Sequence, residues 1–422
     1  PDPCPDCDAS KQGGDPVELG SGIFLHQVTD LTLPGRLPVT LTRTYRTADP
    51  TLGPFGVGTS TGYDAYLRQK TADMLILFLP GNYKSRWARQ ADGSFTVGDK
   101  GTFRSARLIR NPDSTWTLRY KDGRVWQFNA AGWLIAQQDR TGNQVMILRD
   151  GQNRLTTLRE PGGRELTVSY SGTDLKIQNV QDPLGRQIRY QYDGSNLLTQ
   201  VTDPLGGTWQ YTYDAGQRML KVTNPRGILQ TQNTYDAAGR VATQTLADGG
   251  VTRFDYTLVA GTLAATTVTD ATGVARTSRF TGGYSTEHTD GLGQSAKTLW
   301  APGTNLRQAQ TDRLGRTTQF AYDPAGNLTQ QTDPLGQLWR STFDPTFNHP
   351  LTSTDPLNQT TTYAYDAKGN LLTLSDPLNH TTTFTYNAVG QPVSITDPVG
   401  NTTTFEYDSV GNLTAPVDPL GN

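Results

Sequence analysis

A unit of 21 residues repeats through the second half of the chain, and this repeat restricts the fold more than any other feature. Residues 365–386 read YDAKGNLLTLSDPLNHTTTFTY, and residues 386–407 read YNAVGQPVSITDPVGNTTTFEY. Asp366 and Gly369 occupy the first and fourth positions of a tight turn, where Asp bonds to the backbone two residues on and Gly adopts a positive φ. This pattern predicts a type I turn with a glycine bulge, which is the corner of a β-hairpin.

The same corner recurs at regular intervals. Between residues 355 and 418 the turn-opening residues are alternately eleven and ten apart, so two corners make one repeat. In some corners Pro fixes φ at the second position, and Asn replaces Gly at Asn358 and Asn379. We assign structural turn roles to Asp366, Gly369, Asp397, Pro398, Gly400, Asp182, Gly185, Asp203 and Gly206.

Apolar and polar residues alternate between the corners, which is typical of β-strands with one apolar face. Tyr363 and Tyr365 alternate in this way, as do Leu372 and Leu374. The sequence therefore predicts an all-β fold built as a long antiparallel meander. We predict that Tyr365, Tyr386, Tyr407, Phe384 and Phe405 form an inner wall on the concave side. The Thr-rich opposite face (Thr360, Thr362, Thr383 and Thr385) should face solvent.

The repeat divides the chain into three predicted parts. Residues 1–13 form a flexible N-terminal segment, residues 14–125 a β-rich domain, and residues 126–422 the repeats, which become irregular at about 248–303. The segment before the repeats is richer in aliphatic residues and Trp, and it could cap one edge of the meander. Repeat arrays need such caps.

Composition narrows the classes of function. Only 34% of the residues are hydrophobic, and no run of 18 apolar residues predicts a membrane span. The 37 basic and 39 acidic residues are scattered without blocks, which argues against a nucleic-acid partner. Because the chain begins at Pro1 without a signal-peptide pattern, we expect it to be a piece of a longer protein.

Several segments carry a resemblance to a known family. YDAAGR at residues 235–240, YDPAGNL at residues 322–328 and the many DPLG corners resemble the YD repeats of Rhs proteins. The opening GDPVELGSGIFLHQVTDLTLPGRLPVTLTRTYRT (residues 14–47) is similar to the domain that introduces these repeats in bacterial Rhs polymorphic toxins. Together the two regions cover nearly the whole chain.

The resemblance implies a fold and a function. It implies a hollow β-shell, or cocoon, wound as a spiral of hairpins that encloses a C-terminal toxin, which would be a partner absent from this chain. A secretion-system spike or a chaperone is a possible further partner. The resemblance also implies a protein that is made in the cytoplasm and then secreted or delivered to a target cell. A spike-tip domain, a toxin and a terminal DPxGL motif are missing, so we expect the chain to stop in mid-shell.

The residues independently favour a hollow body. A single sheet with one apolar face must cover that face, and no helical pattern is available to do so. About thirty strands at ~4.8 Å spacing make a sheet roughly 140 Å wide. This is too wide to close as a barrel filled by side chains.

Candidate chemistry is sparse. Gly58 to Gly62 match the pattern of a nucleophile elbow around Ser60, but that motif needs a strand-to-helix turn, and its surroundings here are β and loop. The four histidines have no metal-ligand spacing, and the carboxylates are mostly turn openers. We therefore assign no catalytic, metal or cofactor residue. Cys4 and Cys7 form a free reduced pair, a local disulfide, or half of a metal site.

Two classes of function remain. The first is a non-catalytic shell segment that encapsulates a toxin. The alternative is an extracellular carbohydrate-binding or cell-adhesion module that uses aromatic residues on the outer face, such as Trp209, Trp300 or Trp339. An orphan hydrolase is a distant third.

Overall fold

The computed structural model describes residues 12–13, 16–47, 49–98, 101–171 and 174–420. These ranges form antiparallel β-strands joined by tight turns, and the one helical element in them is the 3-10 turn Pro80–Asn82. The model thus confirms the predicted all-β class. No helix in the described ranges has the length and apolar character needed to cross a membrane.

The N-terminal strands form a five-stranded sheet in the order β1-β2-β3-β4-β7, beside a small β5-β6 hairpin. Their bounds are β1 (Gln12–Gly13), β2 (Val17–Glu18), β3 (Ile23–Leu33), β4 (Val39–Arg46), β5 (Leu52–Gly53), β6 (Gly56–Val57) and β7 (Thr59–Thr61).

All later strands belong to one sheet in which each strand pairs with its neighbours in sequence. Their bounds are β8 (Tyr66–Thr71), β9 (Met74–Leu79), β10 (Tyr83–Arg89), β11 (Phe95–Thr96), β12 (Arg107–Arg110), β13 (Trp116–Arg119), β14 (Val125–Phe128), β15 (Leu134–Gln138), β16 (Gln144–Arg149), β17 (Leu155–Arg159), β18 (Glu165–Tyr170), β19 (Ile177–Gln181), β20 (Gln187–Tyr192), β21 (Leu198–Thr202), β22 (Thr208–Tyr213), β23 (Met219–Thr223), β24 (Leu229–Tyr235), β25 (Val241–Leu246), β26 (Val251–Val259), β27 (Thr262–Thr269), β28 (Ala275–Thr281), β29 (Tyr284–Thr289), β30 (Ser295–Trp300), β31 (Arg307–Thr311), β32 (Thr317–Tyr322), β33 (Leu328–Thr332), β34 (Leu338–Phe343), β35 (Pro350–Thr354), β36 (Thr360–Tyr365), β37 (Leu371–Ser375), β38 (Thr381–Tyr386), β39 (Pro392–Thr396), β40 (Thr402–Tyr407) and β41 (Leu413–Val417).

Local chemistry at each corner explains why the chain reverses there. Gly369 has φ 79°, and its N–H donates to the carbonyl of Asp366 at 3.0 Å. The carboxylate of Asp366 accepts hydrogen bonds from the backbone N–H groups of Lys368 and Asn370, both at 2.8 Å. Because one side chain satisfies two turn donors, the sequence Asp-x-x-Gly specifies the corner without help from distant contacts.

The long sheet is open. Strands β8 and β41 are its two ends, and they pair with β9 and β40 but not with each other. Near the start of the sheet Tyr66 forms a single bridge to Trp133, which brings β8 back against the turn before β15. The first strands therefore curl tightly, and the remaining strands continue outward from them.

The sheet winds as a spiral whose successive turns touch at their rims. Lys121 donates to the carbonyl of Ala325 at 3.2 Å and to Asn327 at 3.0 Å, and Asn143 donates to the carbonyl of Val389 at 2.9 Å. These partners are 204, 206 and 246 residues apart, so one turn of the spiral takes between 204 and 246 residues at these places. Corners of the first turn thus form a seam with corners of the second.

We call residues 16–65, without Ala48, the cap. The cap contacts the long sheet over a wide span, from Leu134 in β15 to Thr266 in β27. Thirteen strands at about 4.8 Å would extend over ~60 Å in a flat sheet. A compact body of roughly 50 residues is only ~25 Å across. The long sheet must therefore curve around the cap, which lies on its concave side.

One hydrophobic core joins the cap to the first turn of the spiral. It contains Phe24, Leu41 and Phe55 from the cap together with Leu158 and Val201 from the long sheet, all of them buried. Phe280 of β28 also packs against this core. Beyond β28 no further hydrophobic side chain of the described residues joins the core, and the apolar side chains of the wall are mostly half-buried.

The irregular stretch at about 248–303 keeps the same meander. Its strands β26 and β27 are longer than their neighbours, with 9 and 8 residues. They are joined by a tight turn at Ala260 and Gly261, both with positive φ. Because these strands are longer and the turn between them is shorter, the spacing between the corners changes. The sequence period therefore blurs there. The long sheet already begins at Tyr66, well before the predicted boundary at residues 125/126. The division of the chain at that boundary stays a prediction.

Candidate functional site

The concave wall of the second turn, from β30 to β41, is the candidate functional surface. Tyr363 and Tyr365 lie on the face of the sheet that the cap covers in the first turn, because they occupy the positions of Tyr190 and Tyr192 in the repeat. Cross-strand partners continue this face: Tyr363 pairs with Leu374. An aromatic and aliphatic row therefore lines the concave side.

The predicted wall residues are all half-buried on this face. They are Tyr365, Tyr386, Tyr407, Phe384 and Phe405, at equivalent positions of β36, β38 and β40. On the opposite face Thr362, Thr383 and Thr385 are exposed. Thr360 is half-buried because its hydroxyl bonds to that of Thr354 at 2.8 Å. The use of this wall as a binding surface stays a prediction.

The predicted turn residues adopt corner geometry wherever the structure describes them. Gly400, Gly185 and Gly206 have φ of 92°, 80° and 86°. In the same three corners the carboxylates of Asp397, Asp182 and Asp203 accept the backbone N–H two residues on, at 2.9, 3.0 and 2.8 Å. Pro398 fills the second position of its corner. These residues position the strands, and Asp182 is also paired with Arg186 at 2.6 Å.

Two of the three wall tyrosines that precede a corner are tied to the neighbouring strand. Tyr365 donates to the carbonyl of Pro350 at 2.8 Å, and Tyr407 donates to that of Pro392 at 2.8 Å. In the first turn Tyr192 bonds in the same way to Ile177, at 2.6 Å. Burial raises the pKa of Tyr365 and Tyr407, so these hydroxyls stay protonated and act as donors.

Leu372, which alternation groups with Leu374 on the apolar face, lies elsewhere. Simple alternation puts Leu372 beside Leu374, but a bulge shifts the register between Ala364 and Tyr365. Tyr365 therefore faces Leu371, and Leu372 is exposed. The wall positions of this return strand are its first and fourth residues, and the prediction for Leu372 was wrong because a bulge adds one residue to the strand.

A buried ionic cluster anchors the cap to the wall of the first turn. Arg43 donates to Asp30 through two nitrogens at 2.6 and 2.9 Å, and Tyr190 donates to the same carboxylate at 2.7 Å. Burial lowers the pKa of Arg43, but the charge and hydrogen bond of Asp30 together with Tyr211 and Tyr190 outweigh it, and the net shift is upward. Sequence analysis missed this cluster because its members lie 13 and 160 residues apart.

The three tryptophans named for the alternative function do not lie on the outer face of the described sheet. Trp209 pairs across strands with Val201, which itself pairs with Tyr190, so Trp209 lies on the concave side. Trp339 pairs with Gln331, and Gln331 pairs with Phe320, so Trp339 lies on the same face as Phe320. Trp300 takes the position of the corner tyrosine, and its indole N–H donates to the carbonyl of Ser285 at 2.8 Å. All three point away from the outer face because they share the parity of the tyrosines.

The other candidate residues form contacts within the fold where they are described. The hydroxyl of Ser60 in the cap accepts the N–H of Gly81, in the 3-10 turn after β9, at 2.8 Å. His288 Nδ1 lies 3.2 Å from the hydroxyl of Ser278, a pair that sequence analysis did not find. Ser278 is buried, so a substrate would not reach it. Cys4 and Cys7 lie outside the described residues.

Two family models match the chain. A domain of unknown function (DUF6531) matches residues 14–95. The RHS Repeat model matches residues 170–208, 192–229, 303–338, 346–381 and 386–422. The two models fall on the cap with the first strands of the long sheet and on the wall, respectively.

Curated relatives are much longer than this chain. A probable deoxyribonuclease RhsB of Dickeya dadantii (strain 3937) is 26% identical over 347 residues, which are 74% of this chain and 20% of the relative. The double-stranded DNA deaminase toxin A of Burkholderia cenocepacia (strain H111) is 24% identical over 45% of this chain and 14% of its own length. The chain therefore spans a fifth or less of these relatives.

Two solved structures among those similar to this chain cover nearly all of it. The TcdB2-TccC3-Cdc42 structure is 13% identical and covers 99% of this chain and 27% of its own, with a TM-score of 0.44. A TcdB2-TccC3 structure without the hypervariable C-terminal region covers 95% of this chain and 26% of its own, also with a TM-score of 0.44.

Proposed function

The chain belongs to the Rhs, or YD-repeat, proteins, and from this premise we propose that it is a non-catalytic segment of an Rhs toxin shell. In this role it encloses and carries a C-terminal toxin polypeptide for delivery to a competing or target cell. The fold itself is a shell-like scaffold. What we propose is that this scaffold carries a cargo, that the cargo is delivered to another cell, and that this chain is not catalytic. A secretion-system spike or a chaperone is the further partner we propose.

The observation that supports the proposal is the uncovered wall of the second turn. In the first turn the same face is buried under the cap, with Phe55 packed on Tyr190 at 4.8 Å between ring centroids. In the second turn Tyr363, Phe384 and Phe405 are half-buried in the described structure. A concave apolar face that remains open to solvent favours a polypeptide that presents apolar side chains.

The proposal is tested with an unfolded polypeptide as the probe. Fluorescently labelled, reduced and carboxymethylated α-lactalbumin is titrated with the purified chain, and binding is followed by anisotropy. The variant Tyr363→Ser/Phe384→Ser/Phe405→Ser removes three wall rings and should weaken binding at least about tenfold. The control Thr362→Ser/Thr383→Ser/Thr404→Ser changes the outer face of the same strands and should bind as the parent does. Equal loss of binding in both variants, or in neither, would contradict the cargo role.

The proposed absence of catalysis has its own test. The purified chain should hydrolyse no ester, peptide or glycoside, and Ser60→Ala should leave these null results unchanged. Turnover that disappears with Ser60→Ala would replace the scaffold with the hydrolase alternative. A carbohydrate-binding role would instead need glycans to bind, and to bind less to a Trp339→Ala variant.

A further inference from the structure

A cavity of about 270 Å³ lies where the cap meets the long sheet. It is bounded by the loop after β4, the start of β8, the end of β9 and the corner between β16 and β17. One water molecule occupies ~30 Å³ in the liquid. The cavity is several times larger than this volume, so it can hold an organic group. The wall function described above uses none of these residues.

Two carboxylates belong to the lining. Asp49 is buried, and its Oδ1 accepts the backbone N–H of Thr51 at 3.0 Å. Asp64 is half-buried, and its Oδ2 accepts the backbone N–H of Thr61 at 2.7 Å. Within the described residues neither carboxylate has a Lys, Arg or His nitrogen within 4.0 Å. Each therefore retains unused acceptor capacity in a sheltered place.

The cations of the lining are already engaged. Arg149 donates to the carbonyls of Leu134, Asn153 and Tyr63 at 3.0, 2.9 and 2.5 Å. Arg154 is paired with Asp150, which lies outside the cavity, at 2.7 Å. With Arg154 neutralised, Asp49 and Asp64 outnumber Arg149. The lining keeps one negative charge without a neutralising partner, and a buried charge of that kind favours a bound cation.

Aromatic and apolar side chains form the rest of the lining. Tyr66 stacks on Phe78 with ring centroids 4.6 Å apart and lies 4.8 Å from Trp133. Leu52 and Leu175 also line the cavity and are 38% and 51% exposed, so they mark its open side. Aromatic rings attract organic cations, and exposed leucines suit an apolar stem that leads to the charge.

We propose that this cavity binds a primary alkylammonium group carried on an apolar stem, with its nitrogen at Asp49 and Asp64 and its stem between Leu52 and Leu175. Such a group is either the side chain of a lysine in a polypeptide or a free aliphatic amine. The aromatic walls and the two-carboxylate set distinguish this site from a metal site, which would need a third ligand oxygen or nitrogen.

Isothermal titration calorimetry of the purified chain at pH 7.5 and low salt tests the proposal. The probes are n-butylammonium chloride and the peptide acetyl-Leu-Lys-Leu-amide, and 1-butanol and acetyl-Leu-Gln-Leu-amide are their uncharged counterparts. We expect saturable one-to-one binding of the charged probes and none of the uncharged ones. Tighter binding of the peptide identifies a polypeptide lysine as the ligand, whereas equal affinity identifies a free amine.

Variants connect the binding to the cavity. Asp64→Asn keeps the shape and the acceptor for Thr61 but removes the charge, and it should weaken binding about tenfold. Asp49→Asn should act in the same direction and is the independent second variant. Asp73→Asn changes a carboxylate whose side chain is 81% exposed and should leave the affinity unchanged. Absence of binding by both charged probes, or unchanged affinity in both cavity variants, would overturn the proposal.

Discussion

The hydroxyl of Tyr365 donates a hydrogen bond of 2.8 Å to the carbonyl oxygen of Pro350, fifteen residues earlier in the chain. Pro350 begins β35, the strand that precedes Tyr365's own strand β36. The main-chain pairing of these two strands ends at Thr352 and Thr362, short of both residues. The tyrosine thus closes the ladder at the rim, where the backbone alone does not reach.

We predict that Tyr365→Phe weakens this rim. The variant keeps the ring on the wall but leaves the carbonyl of Pro350 without its donor, at a cost of about 0.5–1.5 kcal/mol. Hydrogen exchange measured by mass spectrometry should become faster in the peptide 350–366. The control is Tyr363→Phe, since the hydroxyl of Tyr363 forms no hydrogen bond within the described structure. Equal acceleration in both variants would show that the bond to Pro350 contributes nothing.

The corners could be predicted from the sequence because their chemistry is local. Asp366 and Gly369 are three residues apart and determine the turn by themselves. The exposed position of Leu372 could not be derived from alternation alone, because the bulge changes the parity of the strand. A signal was nevertheless present. Residues Leu371 and Leu374, and Leu198 and Val201 in an earlier repeat, are three apart, which is the spacing that a bulged strand presents to one face.

The winding of the sheet was beyond sequence reasoning. Contacts between turns, such as Lys121 with Asn327, join residues 206 apart, and no local pattern marks them. The same applies to the cavity where the cap meets the long sheet, whose carboxylates Asp49 and Asp64 come from loops of the cap and whose aromatic walls come from the long sheet. The radius of curvature that brings these parts together depends on the summed twist of many strands.

Replacement of Gly369 by Val should destabilise the hairpin by about 1–3 kcal/mol. Gly369 has φ 79°, which a β-branched residue strongly disfavours, and a Cβ there would lie 2.8 Å from the ring of Phe347. Gly400→Val isolates the backbone part of this cost, since Gly400 has φ 92° but nothing within 4 Å of its added Cβ. Denaturant unfolding followed by circular dichroism should rank the variants as parent, Gly400→Val and Gly369→Val. Unchanged stability of Gly369→Val would contradict the role of this corner.

The ionic cluster between cap and wall should be essential for docking of the cap. Arg43 and Asp30 have side-chain exposures of 4% and 3%, so Arg43→Met leaves a buried carboxylate with only Tyr190 as a side-chain donor. We expect a loss of about 3–5 kcal/mol. The double variant Arg43→Met/Asp30→Leu removes both charges and should recover most of this loss. Hydrogen exchange in residues 23–33 and 39–46 measures how firmly the cap is docked. If these residues exchanged as fast in the double variant as in Arg43→Met, the result would argue against a charge-pair mechanism.

The stability of the chain should depend on pH through Asp64. Burial raises its pKa from 3.8 to about 6, while the charge of Arg149 and the N–H of Thr61 act in the opposite direction. Between these two pH values the folded protein holds a proton that the unfolded chain has released. The contribution of Asp64 is therefore most favourable below pH 3.8, falls as the pH rises to 6, and is constant above it. Asp64→Asn has no such proton to lose.

The expected result is a stability difference that grows with pH. At pH 7.5 Asp64→Asn should be more stable than the parent by about 1–3 kcal/mol, and at pH 4 the two should be close. Asp113→Asn is the matched control with the opposite sign. Hydrogen bonds from the side chain and the N–H of Thr115 lower the pKa of Asp113, so this variant should be the less stable protein at pH 7.5. Urea unfolding at both pH values measures the differences, and a gain in Asp64→Asn that is the same at pH 4 and pH 7.5 would show that Asp64 keeps its ordinary pKa in the folded chain.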